Sequence, residues 1–114
     1  MQKLTFVEMA QAALKVSTRD IDELSSLLIA RQHVFVLPQI ESLIERQEKG
    51  IDVGLRTDGW ANFFFVVDKK DRVMVVFADR HDGYWYVDVS RLDGGGRWGV
   101  GRRLCVRNLD AVSL

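Results

Sequence analysis

From Ala61 to Val67 and again from Val73 to Ala78 the chain reads as β-strand, and both segments are apolar on both faces. Successive side chains of a strand point to opposite sides. Phe63, Phe65 and Val67 therefore line one face of the first strand, and Phe64 and Val66 line the other. Val73, Val75 and Phe77 alternate in the same way with Met74, Val76 and Ala78. The polar turn Asp68, Lys69, Lys70, Asp71 joins the two into a hairpin. Such a hairpin must be covered on both sides, because one aromatic side chain removes about 150–250 Å² from water. Phe64, Val66, Met74 and Val76 left bare would approach the largest apolar patch a soluble monomer carries.

The rest of the chain limits what can supply that cover. The 114 residues are one domain's worth. Residues 1–50 carry helical periodicity. Thr5 and Glu8 have the spacing of a capping box, and Phe6, Met9, Ala10, Ala13 and Leu14 follow on one helical face. Ser17 and Thr18 are placed to cap a second helix with Ile21, Leu24 and Leu28 inward. The β-branched stretch from His33 to Leu37 suits either an extension of that helix or a buried connection. Pro38 suits the first turn of a third helix, with Ile40, Leu43 and Ile44 inside, Glu41, Glu45 and Glu48 outside, and Gly50 as its stop. Residues 51–114 read as the sheet half. A short strand is expected at Val53 to Arg56, then the hairpin, a turn at His81, Asp82 and Gly83, a strand from Tyr84 to Arg91, and a last strand from Arg102 to Asn108. The predicted fold is α+β, with about three N-terminal helices packed on a C-terminal antiparallel meander of four to five strands in a single domain, 1–114. In the later strands Trp85, Val87 and Val89, joined by Leu104 and Val106, are expected to face the core. Tyr84, Tyr86, Asp88, Ser90, Arg103, Cys105 and Arg107 are expected to face water.

Three helices cover one face of such a sheet but hardly two. The second face of the first hairpin is then closed by strong curling of the sheet, by an N-terminal helix crossing over, or by a second copy of the chain. The last option makes Phe64, Val66, Met74 and Val76 a homodimer interface with two-fold symmetry.

Sixteen basic and sixteen acidic residues cancel, so no global field draws the chain to nucleic acid or an anionic membrane. Arg91, Arg97, Arg102, Arg103 and Arg107 are concentrated near the end. Tyr84 and Tyr86 beside Arg103 and Arg107 suit a stacking and phosphate-contact face. Trp98 either stands exposed as a contact anchor or folds back onto the core, and packing is the expected outcome. An exposed strand face with paired charges explains the same pattern. A winged-helix reading fails because Glu41, Glu45 and Glu48 on the third helix would repel phosphate. The Gly94–Gly96 cluster lacks the lysine, hydroxyl and following helix of a phosphate loop. Asp79, His81 and Asp82 form the one candidate for acid–base work, and Cys105 between Arg103 and Arg107 is a weak nucleophile candidate. Two histidines and one cysteine have no metal-ligand spacing, and no cofactor is implied. One cysteine gives no intrachain disulfide, no apolar run reaches membrane-spanning length, and the first residues do not resemble a signal peptide. The sequence-based expectation is a cytoplasmic, non-catalytic interaction protein, homodimeric, with a further protein partner as an added option. The alternatives are a small-ligand or nucleic-acid binder on the tyrosine and arginine face, and an enzyme using His81.

Overall fold

The structure is a computed structural model that describes residues 3–94, 96–99, 103–105 and 112–113. The elements in chain order are β1 (Lys3–Leu4), α1 (Phe6–Leu14), α2 (Ile21–Ala30), β2 (Val34–Phe35), α3 (Leu37–Glu48), β3 (Asn62–Val67), β4 (Val73–His81), β5 (Tyr84–Arg91), β6 (Trp98–Gly99), β7 (Arg103–Cys105) and β8 (Val112–Ser113). The fold is α+β, with the helices N-terminal to a mixed, mostly antiparallel sheet. None of the helices is long and apolar enough to cross a membrane.

Local chemistry explains the helix ends. Thr5 Oγ1 accepts from the Glu8 N–H and Glu8 Oε1 accepts from the Thr5 N–H, both at 3.1 Å, which completes the capping box. Asp20, rather than Ser17 or Thr18, caps α2, with Oδ1 accepting from the Glu23 N–H at 2.9 Å. Thr18 instead donates its hydroxyl to Glu23. Pro38 sits in the first turn of α3, where its missing N–H costs nothing. The chain leaves α3 through Gly50 at φ +86°, a backbone state that favours glycine.

β3, β4 and β5 form the expected antiparallel run, but the sheet order is β5-β4-β3-β7-β8. β7 does not follow β5 as a hairpin partner. It returns to pair in parallel with β3, Asn62 opposite Arg103 and Phe64 opposite Cys105. β2 also pairs in parallel with β3, further along the same strand. No strand forms at Val53 to Arg56. Leu55 and Val53 instead pack into the core from a loop. That loop is fixed by Asn62, which is fully buried. Its Oδ1 accepts from the Arg56 N–H at 2.8 Å, and its Nδ2 donates to the carbonyls of Arg56 and Ala78, each at 3.1 Å.

The sheet carries a core on each side. On one side α1 and α2 bring Phe6, Met9, Leu14, Leu24 and Leu28 against Phe63, Phe65, Val73 and Val75. On the other side Phe35, Ile40 and Leu55, with Leu43 and Ile44 of α3, lie against Phe64, Val66, Val76 and Ala78. Phe64 is 0%, Val76 1% and Val66 8% exposed; Met74 is partly exposed. The expectation that Phe64, Val66, Met74 and Val76 form a face for a second copy is therefore corrected. α3 occupies that face.

The crossover runs through β2. Adjacent strand residues point to opposite faces. Val34 accordingly joins the α1–α2 core while Phe35 enters the α3 core, with its ring 5.4 Å from that of Phe64 and nearly perpendicular. The ambiguous His33–Leu37 stretch is thus a buried connection that carries the chain past the edge of β3.

His33, just before β2, is itself buried, and its Nδ1 makes no hydrogen bond among the described residues. Burial, with Arg31 nearby in a lesser role, holds its imidazole below the ordinary histidine pKa. A depressed folded-state value means that the unfolded chain takes up the proton first. The histidine's contribution is complete above the unfolded value, about 6.5, and is lost as pH falls from there toward the folded value. The urea midpoint should therefore fall on acidification from about pH 7 to 5, and His33→Leu should flatten that slope. An unchanged slope in the variant would assign the pH dependence to other groups.

Candidate functional site

The later strands are where the sequence and the structure differ most. β5 pairs with β4 over eight consecutive positions, from Met74 opposite Arg91 to His81 opposite Tyr84, with no bulge. The hairpin closes through the two residues Asp82 and Gly83, both at positive φ, 55° and 81°. Paired positive values at an Asp-Gly dipeptide make a type I′ turn, whose twist matches that of the flanking strands.

Among the described residues no strand pairs with the other side of β5, which ends the sheet. Val87 and Val89, expected in the core with Trp85, are 49% and 48% exposed; Tyr84 and Tyr86 are 69% and 48% exposed. The physical reason is reach. α3 meets β5 at Trp85, whose Nε1 donates to Glu48 Oε1 at 2.8 Å, while Arg80 Nε donates to the same oxygen at 2.7 Å. These two donors, the tryptophan first, hold the Glu48 carboxyl below its usual range. Beyond Trp85 the helix no longer covers the strand. The Leu104 backbone pairs with Phe63 on β3, which β4 separates from β5.

The tyrosine and arginine constellation does not assemble as expected. β4 and β3 lie between β5 and β7, which puts Arg103 about 14 Å from β5 at roughly 4.8 Å per strand. Arg107 and Val106 lie outside the described residues. Trp98 packs inward, with ring centroids 4.9 Å from Phe77, 5.2 Å from Phe63 and 6.0 Å from Phe6. Cys105 is placed by its backbone opposite Phe64.

Asp79, His81 and Asp82 do come together. His81 Nε2 lies 3.2 Å from Asp79 Oδ2, and Nδ1 lies 3.9 Å from Asp82 Oδ2. The imidazole stacks on Tyr86, with centroids 4.2 Å apart and planes within 9°. The ring is thus held by a carboxylate at one nitrogen and an aromatic on one face. The cluster stiffens the turn end of β4–β5 and holds the Tyr86 ring against the strand. Two surface depressions lie away from it. One lies between α2 and the ends of β4 and β5, at Ser25, Ile29, Arg72, Val73 and Arg91, and the other lies on α3 at Pro38, Leu43 and Arg46. In the first, Arg72 is paired with Asp68 at 2.8 Å and Arg91 with Asp93 at 2.7 Å. The guanidiniums there already face carboxylates, so the groove is poorly suited to bind an anion. No group of three or more metal-ligating side chains occurs among the described residues.

What sequence reasoning missed is the edge itself. The only available signal was the composition of Tyr84–Arg91, which carries valines on one face and tyrosines on the other but no proline or lysine. The chain matches no family model, no curated protein and no solved structure.

Proposed function

We propose that this chain is a non-catalytic interaction protein that acts through the free edge of β5. The observation that carries the reading is a long edge strand that no other strand covers among the described residues. An edge presents a row of unpaired backbone N–H and C=O groups, and proteins ordinarily blunt it with proline, lysine, a bulge or very short length. β5 lacks proline, lysine and a bulge, and its one local protection is Asp88, whose Oδ1 accepts the Val89 N–H at 2.8 Å. The strand is eight residues long, regular in register and half-exposed at four large side chains. Such a strand accepts another strand, with main-chain hydrogen bonds supplying affinity and alternate side chains supplying specificity. The balanced charge of the chain fits a protein partner better than nucleic acid, and the lone cysteine fits a reducing compartment such as the cytoplasm.

The test is site-specific photo-crosslinking in cells that make the protein. A photoreactive aromatic residue is placed at Tyr84 and, as control, at Glu41, which is exposed on α3. Discrete intermolecular products are expected from Tyr84 and not from Glu41. Equal or absent yields at the two positions would remove β5 as the interaction edge.

A further inference from the structure

We infer that the strand received by β5 is the β5 of a second copy, paired antiparallel about a two-fold axis through Val87. This rests on the edge-strand reading above and names its occupant.

Symmetry and charge together select the register. A two-fold relating antiparallel edge strands runs perpendicular to the sheet, so each face continues onto the same face of the partner. Even-numbered residues of β5 then oppose even-numbered ones, and odd oppose odd. Trp85, Val87 and Val89 share the face of Val76 and Ala78, while Tyr84, Tyr86, Asp88 and Ser90 share the face of Val75 and Phe77. Two registers use nearly the whole strand.

An axis at Asp88 sets two carboxylates directly opposite each other, and like charges at that position are destabilising. An axis at Val87 sets Val87 on the partner's Val87, Trp85 on the partner's Val89, Tyr86 on the partner's Asp88, and Tyr84 on the partner's Ser90. No like charges meet, and the Val89 N–H, which Asp88 Oδ1 accepts at 2.8 Å in the single chain, passes to the carbonyl of the partner's Trp85. The half-exposed valines of both copies become one apolar strip bounded at each end by Trp85, which Glu48 already holds in place. Aromatic and β-branched cross-strand pairs of this kind are among the favourable ones. Axes at Tyr86 or Val89 leave much of the strand unpaired. The β3–β4–β5 run would thus continue across the axis into the partner's β5, β4 and β3, and neither copy would keep β5 as a free edge.

The register can be read by disulfide trapping. Residues directly opposite in an antiparallel pair have Cα atoms about 4.5–5.5 Å apart, inside the range a disulfide spans. In a Cys105→Ser background, Val87→Cys should give covalent dimers under mild oxidation. Asp88→Cys should not, because its counterpart is displaced along the strand. Efficient trapping at Asp88→Cys and not at Val87→Cys would overturn the register. The full-length protein should scatter light with the mass of a dimer at micromolar concentration, and Val87→Lys, at an exposed site, should give a folded monomer. A monomer mass for the unsubstituted protein would overturn the second copy as occupant. In that case photo-crosslinks from Tyr84 to a different protein would leave the edge-strand reading standing, and their absence would remove both.

Discussion

Replacing Phe64 by alanine should lower the unfolding free energy by about 3–5 kcal/mol, the usual cost of emptying an aromatic core site. That is a large share of the roughly 5–15 kcal/mol that keeps a domain folded. The size of the effect follows from position. Phe64 is fully buried between the sheet and α3, against Phe35 and the inner residues of that helix. Its loss leaves a cavity shared by β2, β3 and α3, three elements that the sheet and Glu48 hold at fixed separation, so collapse around the void is limited. Chemical denaturation with the fold followed by circular dichroism measures the change. A change below about 1 kcal/mol, the range of exposed substitutions and mild repacking, would contradict the placement of α3. The same substitution should leave association through β5 in place at temperatures where the variant stays folded, because Phe64 and Val87 lie on different strands and only Val87 is half-exposed.

Asn62→Leu should cost about 2–4 kcal/mol, although it adds apolar volume to a buried site. Asn62 makes three hydrogen bonds, to the N–H and the carbonyl of Arg56 and to the carbonyl of Ala78. Leucine removes all three and strands the Arg56 N–H and carbonyl near the core, and each unsatisfied buried group costs about 1–3 kcal/mol. The loop from Ile51 to Ala61 carries Leu55 and Val53 into the α3 core, so its release exposes apolar surface as well. Amide exchange within that loop should accelerate more than in β4. A variant as stable as the parent would show that the loop is fixed by its apolar contacts alone.

Local features were legible in the sequence because their physics is local. The capping box at Thr5 and Glu8, the Pro38 start of α3 and the Asp82-Gly83 turn each depend on residues a few positions apart. The two-sided apolar pattern of Ala61–Ala78 was also read correctly as a demand for cover on both faces. What supplied the cover was not legible. Val34 and Phe35 are only a two-residue strand, and nothing in their identity says that they pair with Phe65 and Val66 thirty-one positions on. The same limit hid the return of β7 to β3, which separates Arg103 from Tyr84 and Tyr86. It also left Val87 and Val89 assigned to the core, since alternation marks which residues share a face and not whether a helix is long enough to reach them. Of the expected site residues, Asp79, His81 and Asp82 assemble because one tight turn joins them. Tyr84 and Tyr86 stand exposed because they lie on an edge that the sheet order, not the local sequence, creates.

The chain closes both faces of its β3–β4 hairpin from within, and we propose that it meets its partner along β5. Photo-crosslinking from Tyr84 on β5 against Glu41 on α3 tests that proposal most directly, because both positions are exposed and only one lies on the free edge. The account predicts intermolecular products from Tyr84 alone; products from Glu41 with none from Tyr84 would contradict it.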